Sequence, residues 1–423
     1  MIAKLKILAY FLPILALVYV HKYGVNVLLW DEFLFVSLFN DNVDFWSFIL
    51  QPHNEHIVPL GKLEYYILAK ITSMNSKSLM YSIVLVLWLP YCFLVKKIET
   101  KRLLPAVLSI IVFYLAFFSP LCWENLLWGF QLLFVSAYAF AVLAILFCDS
   151  YLQTKDIKYL MIASCCCVIA SLNSSHGILS WVSVFLAIIY SRQYKWGIVA
   201  LLPGFLVVAF YLMAERNVPF NDTIKGQPLS QIAGYFLTFI SVGIWSLKTG
   251  WIVGLLAIII TGYTIFGRKF YKNYLVTALA VLGLLIAALV TYGRCRLGIW
   301  QAYSSRYVHL QMPVYLALVI AWLNCINSKL NDAKQLNSPV AVRTDFFAVY
   351  LTCIFIITFL AVSLTSKMGP IRHSQLANDA AIARTYEIQT KEAIQSNLFP
   401  SYDYAKQQLS VLREKKLNVF SDE

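Results

Sequence analysis

The sequence predicts an all-α, polytopic membrane protein, and three observations carry that reading. Of its 423 residues 60% are hydrophobic and only 13% charged, where a soluble domain sits near half apolar and a quarter charged. The apolar residues fall in repeated runs approaching the roughly 20 residues that cross a bilayer as a helix. The basic residues, which give a formal net charge of +13, lie in short connections between those runs. That pattern is topology set by the positive-inside rule, and it argues against a nucleic-acid partner.

The N-terminal run MIAKLKILAYFLPILALVYV carries Lys4 and Lys6 at its start and no A-x-A-like cleavage site after it. It reads as an uncleaved first span with a cytoplasmic N-terminus. Spans are expected at 7–27, 78–95, 103–118, 131–149, 159–173, 178–191, 198–214, 251–266, 274–292, 311–326 and 346–366, about 11 transmembrane helices in all. Lys96, Lys97, Lys101 and Arg102, then Lys155 and Lys158, Arg192 and Lys195, Arg268, Lys269 and Lys272, and finally Lys329, Lys334 and Arg343 mark the inner connections. The alternate connections then face outward. Gly234–Gly250 breaks the parity if it crosses, so it reads as an interfacial or re-entrant segment.

The first outer loop, 28–76, is expected to hold two short amphipathic helices along the membrane surface. Asn40–Asp41–Asn42 gives a cap signal before Val43–Leu50, and Pro52 and Pro59 bracket the polar corner HNEHIV. Residues 1–366 form the transmembrane domain. The polar tail 367–423 shows helical patterning over Ala377–Ser396 and Tyr404–Lys416, broken at Asn397–Ser401, and is expected to be a small helical cap on the outer side. Cys165, Cys166 and Cys167 fall in an apolar run as packing residues. Cys122 and Cys295 both fall on the outer side, where a disulfide between them is open.

The stretch Leu28 to Leu63 concentrates acids in a chain with few of them: Asp31, Glu32, Asp41, Asp44 and Glu55, set among Trp30, Phe33, Phe35, Phe39, Phe45, Trp46 and Phe48. Acids against a membrane are costly unless they have partners or chemistry. Asp31 and Glu32, just past the first span, stand where a general base would act on a lipid-linked substrate; the alternative is that they cap the following helix. His53, Asn54, Glu55 and His56 form a polar knot that either binds a sugar or phosphate or orders the loop. The two histidines would share a face if the knot were helical. Asp44 falls with the sugar- or acceptor-binding candidates, and Lys62 with the phosphate ligands.

Arg294, Arg296 and Arg306, in GRCRLGIWQAYSSRYVHL, concentrate on the side the positive-inside rule disfavours. A lipid phosphate or pyrophosphate suits three guanidinium forks; headgroup contact is the alternative. CWENLLWGFQ places Trp123, Glu124, Asn125 and Gln131 at the same level as His176 in the turn Asn173–Gly177. These either bind a sugar ring or form an interfacial belt. No phosphate-loop motif, D-x-D or H-E-x-x-H pattern occurs. No cofactor is called for, although the acids leave a divalent metal open.

WDEF after the first span, QPHNEH in the same loop, WENLLWGFQ before a later span and GRCRLG with SSRY late in the chain together resemble polytopic GT-C-type glycosyltransferases of bacteria. The nearer resemblance is to the serotype-converting O-antigen glucosyltransferases of enteric bacteria and their phages. It implies a GT-C-like fold and transfer of a sugar, glucose first, from a polyprenyl-phosphate carrier to the O-antigen of lipopolysaccharide at the periplasmic face of the inner membrane. It implies Asp31 as the first-loop catalytic acid with Glu32 beside it, and Arg294, Arg296 and Arg306 on the donor phosphate. The chain departs from the pattern where Ile57, not a basic residue, follows His56. Two other classes stay open. One is a flippase or polysaccharide transporter, which the scarcity of acids within the spans disfavours. The other is an O-acyltransferase on the same glycan, centred on His53 or His56.

Overall fold

The computed structural model describes residues 1–40, 43–54, 56–100, 102–213, 224–241, 249–266, 273–332 and 358–422. Among them the regular structure is helical, and β pairing is confined to an isolated antiparallel bridge between His53 and His56. Seven helices are long and apolar enough to cross a membrane: Ile2–Tyr23, Ser76–Lys96, Leu103–Leu126, Gly129–Thr154, Lys195–Met213, Tyr274–Leu297 and Ser305–Cys325. The chain is a multi-pass membrane protein.

Three of the other expected spans are shorter helices, Ile157–Asn173, Leu179–Tyr190 and Gly250–Phe266, of 17, 12 and 17 residues. At about 1.5 Å per residue these fall short of a hydrocarbon core of roughly 30 Å. The expected span 346–366 lies mostly outside the described residues, and so do residues 214–223 of the connection that precedes Gly234. Of the segment 234–250, residues 242–248 lie outside the description. Its start belongs to the amphipathic helix Leu229–Ile240, of 12 residues. Gly254 lets the next helix lie directly on it, since a Cβ there would come 1.8 Å from the Leu237 carbonyl oxygen.

Helix ends follow the local chemistry. Asn75, Asp156 and Asn273 accept backbone N–H groups in the first turns of their helices, the ordinary use of a short polar side chain at an N-cap. Lys155 adopts a left-handed φ of 61° and closes the helix Leu132–Thr154. That helix is buried around its circumference and forms the centre of the bundle, against Ser76–Lys96 and Ile157–Asn173. Tyr274–Arg294 packs along Val308–Asp332.

The bundle has two chemically distinct ends. Lys97, paired with Asp149, lies with Lys155 and Lys158 at one end. The Phe130 end of the central helix faces the other way, toward the first loop and the arginine segment. The tail, Met368–Arg384, Lys391–Asn397 and Tyr402–Glu414, packs on this second end. Cys122 is a buried thiol there, and no disulfide joins it to Cys295.

Asn418 anchors the tail. Its Nδ2 donates to Asn26 Oδ1 at 2.7 Å, to the Met74 carbonyl at 2.7 Å and to Ser76 Oγ at 3.2 Å, and its backbone N–H meets the Ser73 carbonyl at 2.9 Å. Replacing Asn418 with Ala strands buried acceptors, at an expected cost of about 2–4 kcal/mol. A lower Tm in detergent and faster proteolytic release of the tail are the expected outcome; unchanged Tm and cleavage would contradict the anchoring role.

Candidate functional site

The first loop turns sharply at Trp30, whose φ of 50° places a bulky residue in the left-handed region. The tail holds it there: Trp30 N–H donates to the Leu398 carbonyl at 2.8 Å, and Phe33 packs on Phe399. Beyond this turn the two neighbouring acids have different surroundings. Asp31 is half-buried and lines a cavity of about 490 Å³. Glu32 is buried and does not line it.

Glu32 Oε2 accepts the Leu29 N–H at 3.0 Å and Oε1 accepts the Tyr65 hydroxyl at 3.2 Å. Its pocket depends on Gly129, where a Cβ would sit 2.6 Å from Oε1. Burial pushes the Glu32 carboxyl up to about 8, against the opposing hydrogen bonds and the Arg372 charge. The group is therefore largely neutral at pH 7. Glu32 closes its own turn through the Leu29 N–H, and its side chain makes no capping bond to the following helix Phe33–Val36. Glu64 resembles it: burial raises its carboxyl to about 7, opposed by a hydrogen bond from Ser136.

The HNEHIV corner is a tight turn. His53 and His56 exchange backbone hydrogen bonds of 2.7 and 2.9 Å, and Asn54 takes a left-handed φ of 51°, a conformation Asn tolerates. A turn, not a helix face, brings the two imidazoles together. His53 Nε2 lies 3.6 Å from Asp31 Oδ2, and His56 Nδ1 lies 2.7 Å from Ser175 Oγ. Glu55 lies outside the described residues, as does Asp41.

Lys62 turns the other way. Its Nζ donates to the Phe48 and Gln51 carbonyls, both at 2.8 Å, and stands over the Phe48 ring. Burial lowers its ammonium to about 8. It ties the helix Phe45–Leu50 to the helix Pro59–Ile71 and does not line the cavity. Asp44 caps the first of these helices through Ser47 N–H at 2.7 Å and is also off the cavity.

Arg294, Arg296 and Arg306 line the same cavity as Asp31. Arg306 is positioned by Ser304 Oγ at 3.1 Å and Glu124 Oε1 at 3.6 Å. Glu124 also accepts the Ser305 hydroxyl at 2.8 Å, so it fastens the arginine segment rather than lining the cavity. Asn125 Nδ2 donates to the Arg306 carbonyl at 3.0 Å and to His309 Nδ1 at 2.8 Å, and His309 Nε2 donates to the Phe117 carbonyl at 2.8 Å. Trp123 lies beneath the Arg372 guanidinium, 5.6 Å away, and does not line the cavity.

The fold thus gathers Asp31, His53, Asn54 and His56 from the first loop, Asn125, Gln131 and His176 from two later turns, and the three arginines. Glu32, Asp44, Lys62, Trp123 and Glu124 take supporting places around them. Sequence reasoning passed over His309, Tyr138, Tyr211 and Arg372. A histidine at the head of an apolar run is a signal that could have flagged His309. Tyr211, whose hydroxyl donates to the Ile57 and Ser171 carbonyls at 2.8 and 2.6 Å, gives no signal in sequence. Among the described residues no three His, Cys, Asp or Glu side chains converge as a metal site. No protein-family model, curated protein or solved structure matches the chain.

The Glu32 carboxyl makes a pH prediction. Its ordinary value is 4.5 and its folded value about 8, so the folded state holds a proton that the unfolded chain releases. The stability this contributes is complete below about pH 4.5 and is lost as pH rises through about 8. Glu32→Gln is expected to flatten the fall of Tm across that window. An unchanged Tm profile would place the carboxyl in water.

Proposed function

We propose that the chain is a membrane glycosyltransferase that moves a hexose, glucose first, from a polyprenyl-phosphate carrier to a lipopolysaccharide O-antigen glycan at the periplasmic face of a bacterial inner membrane. One observation carries the reading. A half-exposed carboxylate, Asp31, and three guanidinium groups share one cavity, at the end of the bundle opposite Lys97, Lys155 and Lys158. The volume is within the usual range for small-molecule sites. The first-loop and arginine motifs that resemble GT-C-type transferases supply the same residues.

The chemistry follows from the charges. An acceptor hydroxyl attacks the anomeric carbon, and its oxygen forms the new glycosidic bond. Its proton passes to the Asp31 carboxylate, beside which His53 lies at 3.6 Å. The bond between the anomeric carbon and the phosphate oxygen breaks, and the electron pair leaves with the polyprenyl phosphate. That phosphate gains negative charge as it departs, so Arg294, Arg296 and Arg306 stabilise the transition state more than the bound donor.

The test is the glycan made by a host that produces the carrier and expresses either wild type or Asp31→Asn at equal membrane abundance. Wild type is expected to add a hexose branch, and Asp31→Asn to slow the addition by about 10²–10⁴-fold. Transfer that survives with Arg294 and Arg306 both replaced by Ala would remove the phosphate role. A wild-type glycan without the added sugar would remove the reading.

A second reading has its own observation. Ser175 Oγ and His56 Nδ1, 2.7 Å apart in the same cavity, have the spacing of a hydroxyl nucleophile and its base, which suits acyl transfer to the glycan. If the added group is an acyl ester that Ser175→Ala abolishes and Asp31→Asn spares, this second reading replaces the first. A hexose branch that persists in Ser175→Ala excludes it.

A further inference from the structure

Apart from Trp128 Nε1, which is turned toward Glu32, four side chains lining the cavity carry buried polar atoms with no hydrogen-bond partner among the described residues: Asn125 Oδ1, Tyr138 OH, Ser174 Oγ and His176 Nε2. All four residues are at least nine-tenths buried. Buried polar groups are mostly partnered in folded proteins, and these four gather on residues around one cavity.

The Asn125 orientation is chemically determined. Both hydrogens of its Nδ2 are used, on the Arg306 carbonyl and on His309 Nδ1. His309 Nε2 must carry its proton to meet the Phe117 carbonyl, so its Nδ1 can only accept. The amide therefore leaves Oδ1 as an acceptor awaiting a donor. Tyr138 stacks on the same His309 ring, with centroids 5.5 Å apart. Ser174 and His176 flank Ser175, the partner of His56.

Resting on the transferase reading, we infer that these atoms form the subsite for the donor's hexose, and that they recognise its hydroxyl groups. Their placement decides between donor and acceptor sugar. Asn125 is hydrogen-bonded to the backbone of Arg306, a proposed phosphate ligand, and the sugar next to the phosphate is the one bonded to it. A sugar hydroxyl can donate to Asn125 Oδ1 and either donate to or accept from Tyr138 and Ser174. A site built this way rejects a ligand lacking the hydroxyls, because its own polar groups then stay unpaired.

The experiment compares binding of polyprenyl methyl phosphate, a bare carrier of the same charge, and polyprenyl-phosphate glucose to the purified full chain in detergent, for wild type, Tyr138→Phe and Ser174→Ala. Wild type is expected to bind the glucosyl carrier more tightly than the bare carrier. Each substitution should reduce that advantage by about tenfold while leaving affinity for the bare carrier in place, which also shows that the variant folds. Equal affinity of wild type for the two ligands, or an advantage that survives in both variants, overturns the subsite and leaves the transferase reading standing. Failure of wild type to bind either ligand overturns the transferase reading itself, and the subsite with it.

Discussion

Burying Glu32 between Leu29, Tyr65 and Gly129 removes a carboxyl group from water, and much of the site is arranged around meeting that cost. The group is held neutral, its oxygens accept from a backbone amide and a tyrosine hydroxyl, and Gly129 leaves room for it. Those contacts join three parts of the chain: the turn after the first span, the helix Pro59–Ile71 and the start of the central helix. Arg372 brings the tail into the same region through its charge. With Glu32 committed to the interior, Asp31 is left at the cavity, and the strained turn at Trp30 maintains the difference between them.

The rest of the site divides into a charged side and a fixed polar side. At the mouth Asp31 stands beside His53, and Arg306 beside Glu124. The polar groups further in are locked by hydrogen bonds to backbone carbonyls, as with Asn125 on Arg306 and His309 on Phe117. Such locking orients an amide or imidazole without changing its charge, which suits recognition of neutral hydroxyl groups. The charged mouth suits a group that changes charge during reaction. Supporting side chains that the sequence places among the ligands, Lys62 and Glu124 above all, hold segments instead: Lys62 through two carbonyls, Glu124 through two serines and an arginine.

Hydropathy made the long spans legible, because a run of about 20 apolar residues has few other uses. The grouping of Asp31 with the three arginines was legible too, since charge on the disfavoured side of a membrane asks for a reason. What was hidden turns on single torsions and on contacts distant in sequence. Whether Asp31 or Glu32 faces the cavity depends on the φ of Trp30 and on a carbonyl at Leu398. The His53–His56 turn depends on a left-handed Asn54. Asn125 and His309 meet across 184 residues, and neither residue's pattern announces the other. The short helices Ile157–Asn173 and Leu179–Tyr190 follow the bounds read from hydropathy, 159–173 and 178–191, to within two residues.

The central claim is that the cavity receives an anionic lipid-linked sugar at its arginine mouth. It is tested most directly by irradiating the purified protein with a polyprenyl phosphate that carries a photoreactive group on its first isoprene unit, and mapping the adduct by mass spectrometry. Adducts are expected within residues 289–296 or 306–310, lost when unlabelled polyprenyl-phosphate glucose competes. Adducts confined to the outer surface of Ile2–Tyr23, and indifferent to the competitor, would contradict it.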